Sequence, residues 1–316
     1  MIFSRLDRAQ SIAGESDAVA LRRTVDHARF LEEIGFHRFF VAEHHGVPGI
    51  PGSAPTVLAA AVAAATSSIQ VGTAGIMLPA HQPLIAAEQI GVLEALYPGR
   101  VDAGIGNSVG FTPPVREALG QGDPAELKQE FPRRVAELLA FLRGDAPVTA
   151  RPANAGVTPV WLLAGFKSVL TAAELGINVI VGGPSLFARD SDSHPYLDRF
   201  REIHPAGHVI VAVDIAVADT REGARELLLP QVVTEVRSRT TGSFEALRAD
   251  WTLTPREQQR VEEGLGMTIY GTPDEVYAQL QELQKFTGAD DFLVTGGMAD
   301  LVGQARSEQY LAEMQG

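Results

Sequence analysis

The chain has 316 residues, of which 45% are hydrophobic, enough for one large domain with a substantial core. Its 26 lysines and arginines stand against 39 aspartates and glutamates, and a formal charge of −13 argues against nucleic-acid and anionic-membrane partners. The absence of cysteine removes disulfides, thiolate nucleophiles and thiolate metal ligands, and fits a reducing cytoplasm.

In chain order, the N-terminus carries Arg5, Asp7 and Arg8 where the apolar core of a secretion signal would stand, so a cytoplasmic location is expected. The longest apolar run, Val57 to Ala65, is too short to span a bilayer. Short apolar strands then alternate with longer helical patterns. Strands are expected at Ile2–Leu6, Arg38–Ala42, Ile69–Met77, Val101–Ile105, Val160–Leu163, Val179–Val181, Val209–Val217 and Phe292–Thr295. Helices are expected near Ala18–Ile34, Ala54–Ala65, Leu84–Leu96, Glu130–Leu142, Ser168–Leu175, Arg221–Arg237, Pro273–Phe286 and Leu301–Met314. Such alternation implies parallel strands joined by right-handed crossovers. Eight units close most naturally into an α/β fold of the TIM-barrel type, one (β/α)8 domain over residues 1–316, with a doubly wound open sheet as the rival.

Two long excursions, residues 184–205 and 237–268, are candidate lids or walls. The helix from Ala54 to Ala65 is apolar on every side and built of small residues. A helix apolar all round is buried all round. In an outer ring this requires another subunit, and a homodimer through this helix and Leu84–Leu96 is expected.

The ends of the strands carry the polar residues. Glu43-His44-His45 follows the second strand, Thr73-Ala74-Gly75 falls near the end of the third, and Asn107-Ser108 follows the fourth. Lys167-Ser168 follows the fifth, Gly182-Gly183 the sixth and Gly296-Gly297 the last. In a parallel barrel these converge on one mouth, where such folds place their sites. Gly104-Ile105-Gly106-Asn107-Ser108-Val109-Gly110 is a poor dinucleotide fingerprint, because its sixth position is Val109, but its small residues suit an anion. Adjacent His44 and His45 point to opposite sides, so no metal site is expected there. No nucleophile elbow is present, and no facing carboxylate pair stands at the strand ends. The pocket walls are expected to include Phe40, Phe111, Trp161 and Phe166, favouring a sizeable apolar or aromatic small molecule.

Several stretches in order carry a resemblance. They are Glu33-Ile34-Gly35-Phe36-His37-Arg38 running into Phe39-Phe40-Val41-Ala42-Glu43-His44-His45, then Val71 to Pro79, Ala86-Ala87-Glu88-Gln89 and Leu93 to Gly106 with its Pro98-Gly99-Arg100. The chain resembles the bacterial luciferase-like flavin-dependent monooxygenases, densely from Ala20 to Gly106. The resemblance implies a barrel that binds reduced FMN at its carboxyl mouth, with a non-proline cis peptide around Thr73-Ala74-Gly75. It implies that His44 acts near the flavin C4a position on a peroxide formed there. Glu43 is then expected to orient His44 or face the flavin, and His45 to act with them or support the dimer side. The family usually carries an arginine where this chain has Asn107. Lys167 with Ser168 is expected to supply the missing charge, Arg133 matches a further phosphate-facing arginine, and Gly296-Gly297 is a rival phosphate cradle. The leading expectation is a two-component monooxygenase served by a separate flavin reductase. An F420-dependent hydride-transfer oxidoreductase and a non-catalytic flavin-binding or partner subunit are the alternatives.

Overall fold

A computed structural model describes residues 1–154, 156–188 and 190–315. Among them the strands are β1 (Ile2–Asp7), β2 (Arg38–Val41), β3 (Gln70–Met77), β4 (Val101–Gly106), β5 (Val160–Ala164), β6 (Asn178–Gly182), β7 (Val209–Val217), β8 (Ile269–Gly271) and β9 (Asp291–Thr295). The helices are α1 (Asp17–Glu33), α2 (Pro55–Ala65), α3 (Pro83–Leu96), α4 (Pro113–Ala118), α5 (Pro124–Arg143), α6 (Val169–Leu175), α7 (Pro195–Ile203), α8 (Arg221–Thr241), α9 (Pro255–Leu265), α10 (Pro273–Thr287) and α11 (Leu301–Glu313).

Strands β1 to β7 pair in sequence, all parallel, and β9 closes the ring between β7 and β1. This is the expected eight-stranded (β/α)8 barrel. The ninth strand, β8, was not anticipated: it pairs only with the far end of β7, Ile215 opposite Ile269, outside the closed ring.

Apolar side chains fill the two shells that such a barrel creates. Leu6, Phe40, Trp161, Ile180, Ile210 and Leu293 pack inside the ring, while residues such as Phe39, Val41, Val71 and Phe292 meet the helices outside it. Every barrel strand is covered on both faces, which explains why each reads as a near-continuous apolar run.

The amino-terminal mouth is closed by a polar plug. Arg38 donates to Asp102 at 3.2 Å and to Asp291 at 2.6 Å, and lies over the Trp161 ring at 5.3 Å. Trp161 Nε1 donates to Asp102 at 2.7 Å. The carboxyl mouth is left for the site.

The two long excursions contain helices that the sequence reading missed. In the segment after α8, helix α9 starts at a capping box between Thr254 and Glu257 and buries only Val261 and Leu265. Helix α7 lies in the other. Helix α5 begins six residues before the expected Glu130, where Asp123 accepts from the Ala125 and Glu126 N–H groups. No described helix is long and apolar enough to cross a membrane.

Candidate active site

Beyond the last residue of β2, Glu43, His44 and His45 all border one cavity, and Glu43 bonds His45. The His44 N–H is held by the Gly52 carbonyl at 3.0 Å. Its ring faces a cavity of about 440 Å³ also lined by Met77, Asn107, Ser108, Phe111 and Phe244. That volume lies in the range of small-molecule and cofactor sites. His44 Nδ1 is buried and has no hydrogen-bond partner. Burial lowers the imidazole's pKa and the Arg8 cation lowers it further, to about 4, so the ring is neutral at pH 7.

Glu43 does not bond His44. One oxygen accepts from His45 Nε2 at 2.6 Å and from His81 Nε2 at 2.7 Å, and the other accepts from the Met77 N–H at 2.7 Å. Burial would raise this carboxyl, but the bonds from His45, His81 and Met77 outweigh it and hold it at about 2. His81 was missed by the sequence reading, although it stands just past β3 at the same mouth.

The peptide bond between Ala74 and Gly75 is cis and not prolyl, at the place the resemblance implied. Thr73 Oγ1 bridges to β4, donating to the Gly104 carbonyl at 3.0 Å and accepting from the Gly104 N–H at 3.1 Å. Thr73 and Ala74 are buried, so what they and Gly75 offer at the mouth is backbone.

After β4, Asn107, Ser108 and Val109 border the cavity, and the Gly110 N–H is already taken by Gln121 at 2.7 Å. The cation on this wall is Lys128, from α5. Arg133, expected to face the phosphate, does not: it is 66% exposed and pairs with Glu130 and Glu137 on its own helix. The reason is helical spacing. Phe131 and Val135 fix the inward stripe; Lys128, three residues before Phe131, is exposed but stands at the cavity rim, and Arg133 falls outside the stripe. The neighbouring Arg134 turns inward to the His81 carbonyl.

Three further expectations are corrected. Phe40 has no exposed surface and fills the barrel beneath the mouth. Trp161 is the second residue of β5 and belongs to the plug at the opposite mouth. Gly296-Gly297 is no anion cradle, because Asp214 stands against Gly296 and the Gly297 N–H is spent on Gln231 at 3.3 Å. Phe166, Lys167 and Ser168 stand at the carboxyl end of β5 but do not border the His44 cavity; Ser168 Oγ caps the Gly165 backbone instead.

The segment 244–247 covers the mouth. Phe244 lies edge-on to His44 at 6.5 Å and 5.3 Å from Phe111. Its carbonyl accepts from Gly49, and Leu247 exchanges backbone bonds with Ser11 and Ala13. Across the mouth Arg8 lies 3.6 Å from Glu235, which Gln231 also bonds. Burial and the neighbouring Asp214 push the Glu235 carboxyl up. A second cavity of about 570 Å³, between α8 and the start of α11, contains none of these residues.

The profile of the family described as luciferase-like monooxygenase matches residues 1–290. The chain belongs to the luciferase-like monooxygenase family, and it is an oxidoreductase of that type. It is 34% identical to a luciferase-like monooxygenase of Escherichia coli (strain K12), over 98% of this chain and 94% of that one. It is 31% identical to the N-acetyl-S-alkylcysteine monooxygenase of Bacillus subtilis (strain 168), over 98% and 97%. The crystal structure of apo-MsnO8 superposes with a TM-score of 0.83 at 28% identity, covering 99% of this chain and 97% of that one. More distant structures share the fold alone: a type II Baeyer–Villiger monooxygenase in complex with FMN, at 17% identity, and an F420-dependent secondary alcohol dehydrogenase, at 14%.

Proposed function

We propose that this family member is the oxygenase of a two-component system, receiving reduced FMN from a separate reductase and oxidising a sizeable apolar or aromatic small molecule. The observation that carries this reading is the buried His44 Nδ1, without a hydrogen-bond partner among the described residues, at a cavity of cofactor size at the carboxyl mouth. The residues present fit the flavin. Met77, Phe111 and Phe244 give an apolar slot for the ring, and Ser108 with Lys128 offers a hydroxyl and a cation to its phosphate in place of an arginine at Asn107. Reduced FMN bound there supplies the electrons that activate oxygen. His44 takes or returns a proton at Nδ1 during the transfer of oxygen to substrate. Phe111 and Phe244 keep water from the reacting groups, and Glu43, held by His45, His81 and Met77, fixes the ends of β2 and β3 around His44.

Titration of the purified chain with reduced FMN, oxidised FMN and F420 tests the reading. Saturable binding of reduced FMN, tighter than of the other two, is expected. Preference for F420 replaces the reading with hydride transfer, and binding of none replaces it with a partner subunit.

We also propose a homodimer. Val57 on α2 is 70% exposed and Leu96 on α3 is 61% exposed, with Ile85 and Val92 beside them. An apolar face of this kind marks an interface. Val57→Asp with Leu96→Asp is expected to halve the mass measured by light scattering; a monomeric parent chain rejects the dimer.

A further inference from the structure

We propose that Glu43, His45 and His81 form a site for one divalent transition-metal ion of the zinc class, at the edge of the active-site cavity. From the sequence, adjacent His44 and His45 were expected to diverge and no second ligand cluster stood at another strand end. The fold adds His81, from the turn after β3, and brings His45 Nε2 and His81 Nε2 onto one oxygen of Glu43 at 2.6 and 2.7 Å. All the donor atoms lie within 4.8 Å of one another. Two imidazoles and a carboxylate are the donor set of open zinc sites, in which a further position is left for water or substrate.

The charge balance points the same way. The Glu43 side chain has no exposed surface, and no lysine or arginine lies within ion-pair distance of it among the described residues. A divalent ion held here would place its charge directly on this buried carboxylate. The two imidazoles keep 23% and 22% of their side-chain surface open, which leaves an approach from solvent. The ligands are also oriented from outside the set. The Met77 N–H holds the second Glu43 oxygen, and the His81 N–H is bonded to the Leu78 carbonyl at 3.1 Å. Binding moves the Nε2 proton of each ring to Nδ1 or to solvent and puts the Nε2 lone pair on the ion.

The experiment is titration of chelator-stripped protein with Zn²⁺ by calorimetry, and with Co²⁺ followed by visible absorption. One equivalent of Zn²⁺ per chain and the intense bands of low-coordinate Co²⁺ are expected. His81→Gln keeps an N–H donor for Glu43 but removes the imidazole lone pair. It should weaken Zn²⁺ binding about 100-fold or more while the melting temperature of the stripped protein stays put. Glu43→Gln should do the same to the ion, and His44→Ala should leave it bound. No stoichiometric binding, or binding untouched by both ligand substitutions, overturns the site. The readout contains no flavin, so it stands or falls apart from the proposed function.

Discussion

His44→Ala is expected to lower substrate turnover by about 100-fold or more while flavin affinity stays within a few fold of the parent, since a positioned proton-transfer group typically contributes that much to rate. The expectation rests on where the ring stands. Its Nδ1 is buried and no side chain or backbone group answers it, so the atom is kept for something that enters the cavity. Glu43 is spent on His45, His81 and Met77 and cannot substitute for it. His45 borders the same cavity, but its Nε2 is tied to the same carboxylate. Truncation to alanine also widens the slot next to Phe244, so His44→Asn is the better control. It keeps most of the volume and a polar tip without the imidazole's proton chemistry. Both variants should bind reduced FMN and both should fail in turnover. If flavin affinity falls in step with turnover in both, His44 is a packing or binding residue and the proton-transfer role is wrong.

Much of this was legible in the chain. The barrel strands were, because burial on both faces removes polar residues from them and leaves Glu43, Asn107 and Lys167 just past the strand ends. What failed was arithmetic across distance. His81 bonds Glu43 from 38 residues away, and no local pattern pairs them. Trp161 was assigned to the pocket by its chemistry alone, yet as the second residue of β5 it had to stand at the mouth away from the site. Arg133 came from the resemblance alone, whereas Phe131, Val135 and Leu138 show from the sequence which face of α5 is apolar. Helix α9 escaped because it covers the surface with polar residues and buries only Val261 and Leu265. Its capping box, the proline at its first turn and the i,i+4 pair Val261 and Leu265 were the signals available.

The largest effect on folding is expected from a methyl group inside the barrel wall. In Gly104→Ala the new Cβ overlaps the Thr73 carbonyl oxygen, far inside van der Waals contact, and stands 3.2 Å from Ala74 Cα. Both are backbone atoms of β3, so no side chain can rotate to make room. Thr73 is locked to the same residue through its hydroxyl, which bonds both the N–H and the carbonyl of Gly104. Relief requires β3 and β4 to part, which breaks their pairing where the register already shifts between Thr73 and Ile76. Overpacking without an escape route costs about 3 kcal/mol or more, a large share of the roughly 5–15 kcal/mol that holds a domain together. Gly106→Ala is the matched control two residues along the same strand, because its Cβ would meet only the Ile76 carbonyl oxygen, at 3.9 Å. Thermal melts should show the Gly104 variant lowered by roughly 10 °C or not folding at all, and the Gly106 variant close to the parent. Equal shifts in the two would mean that the β3–β4 contact is not what makes glycine necessary at 104. β3 also carries Met77 to the cavity, so whatever fraction of the Gly104 variant folds should also lose flavin binding, which the Gly106 variant keeps.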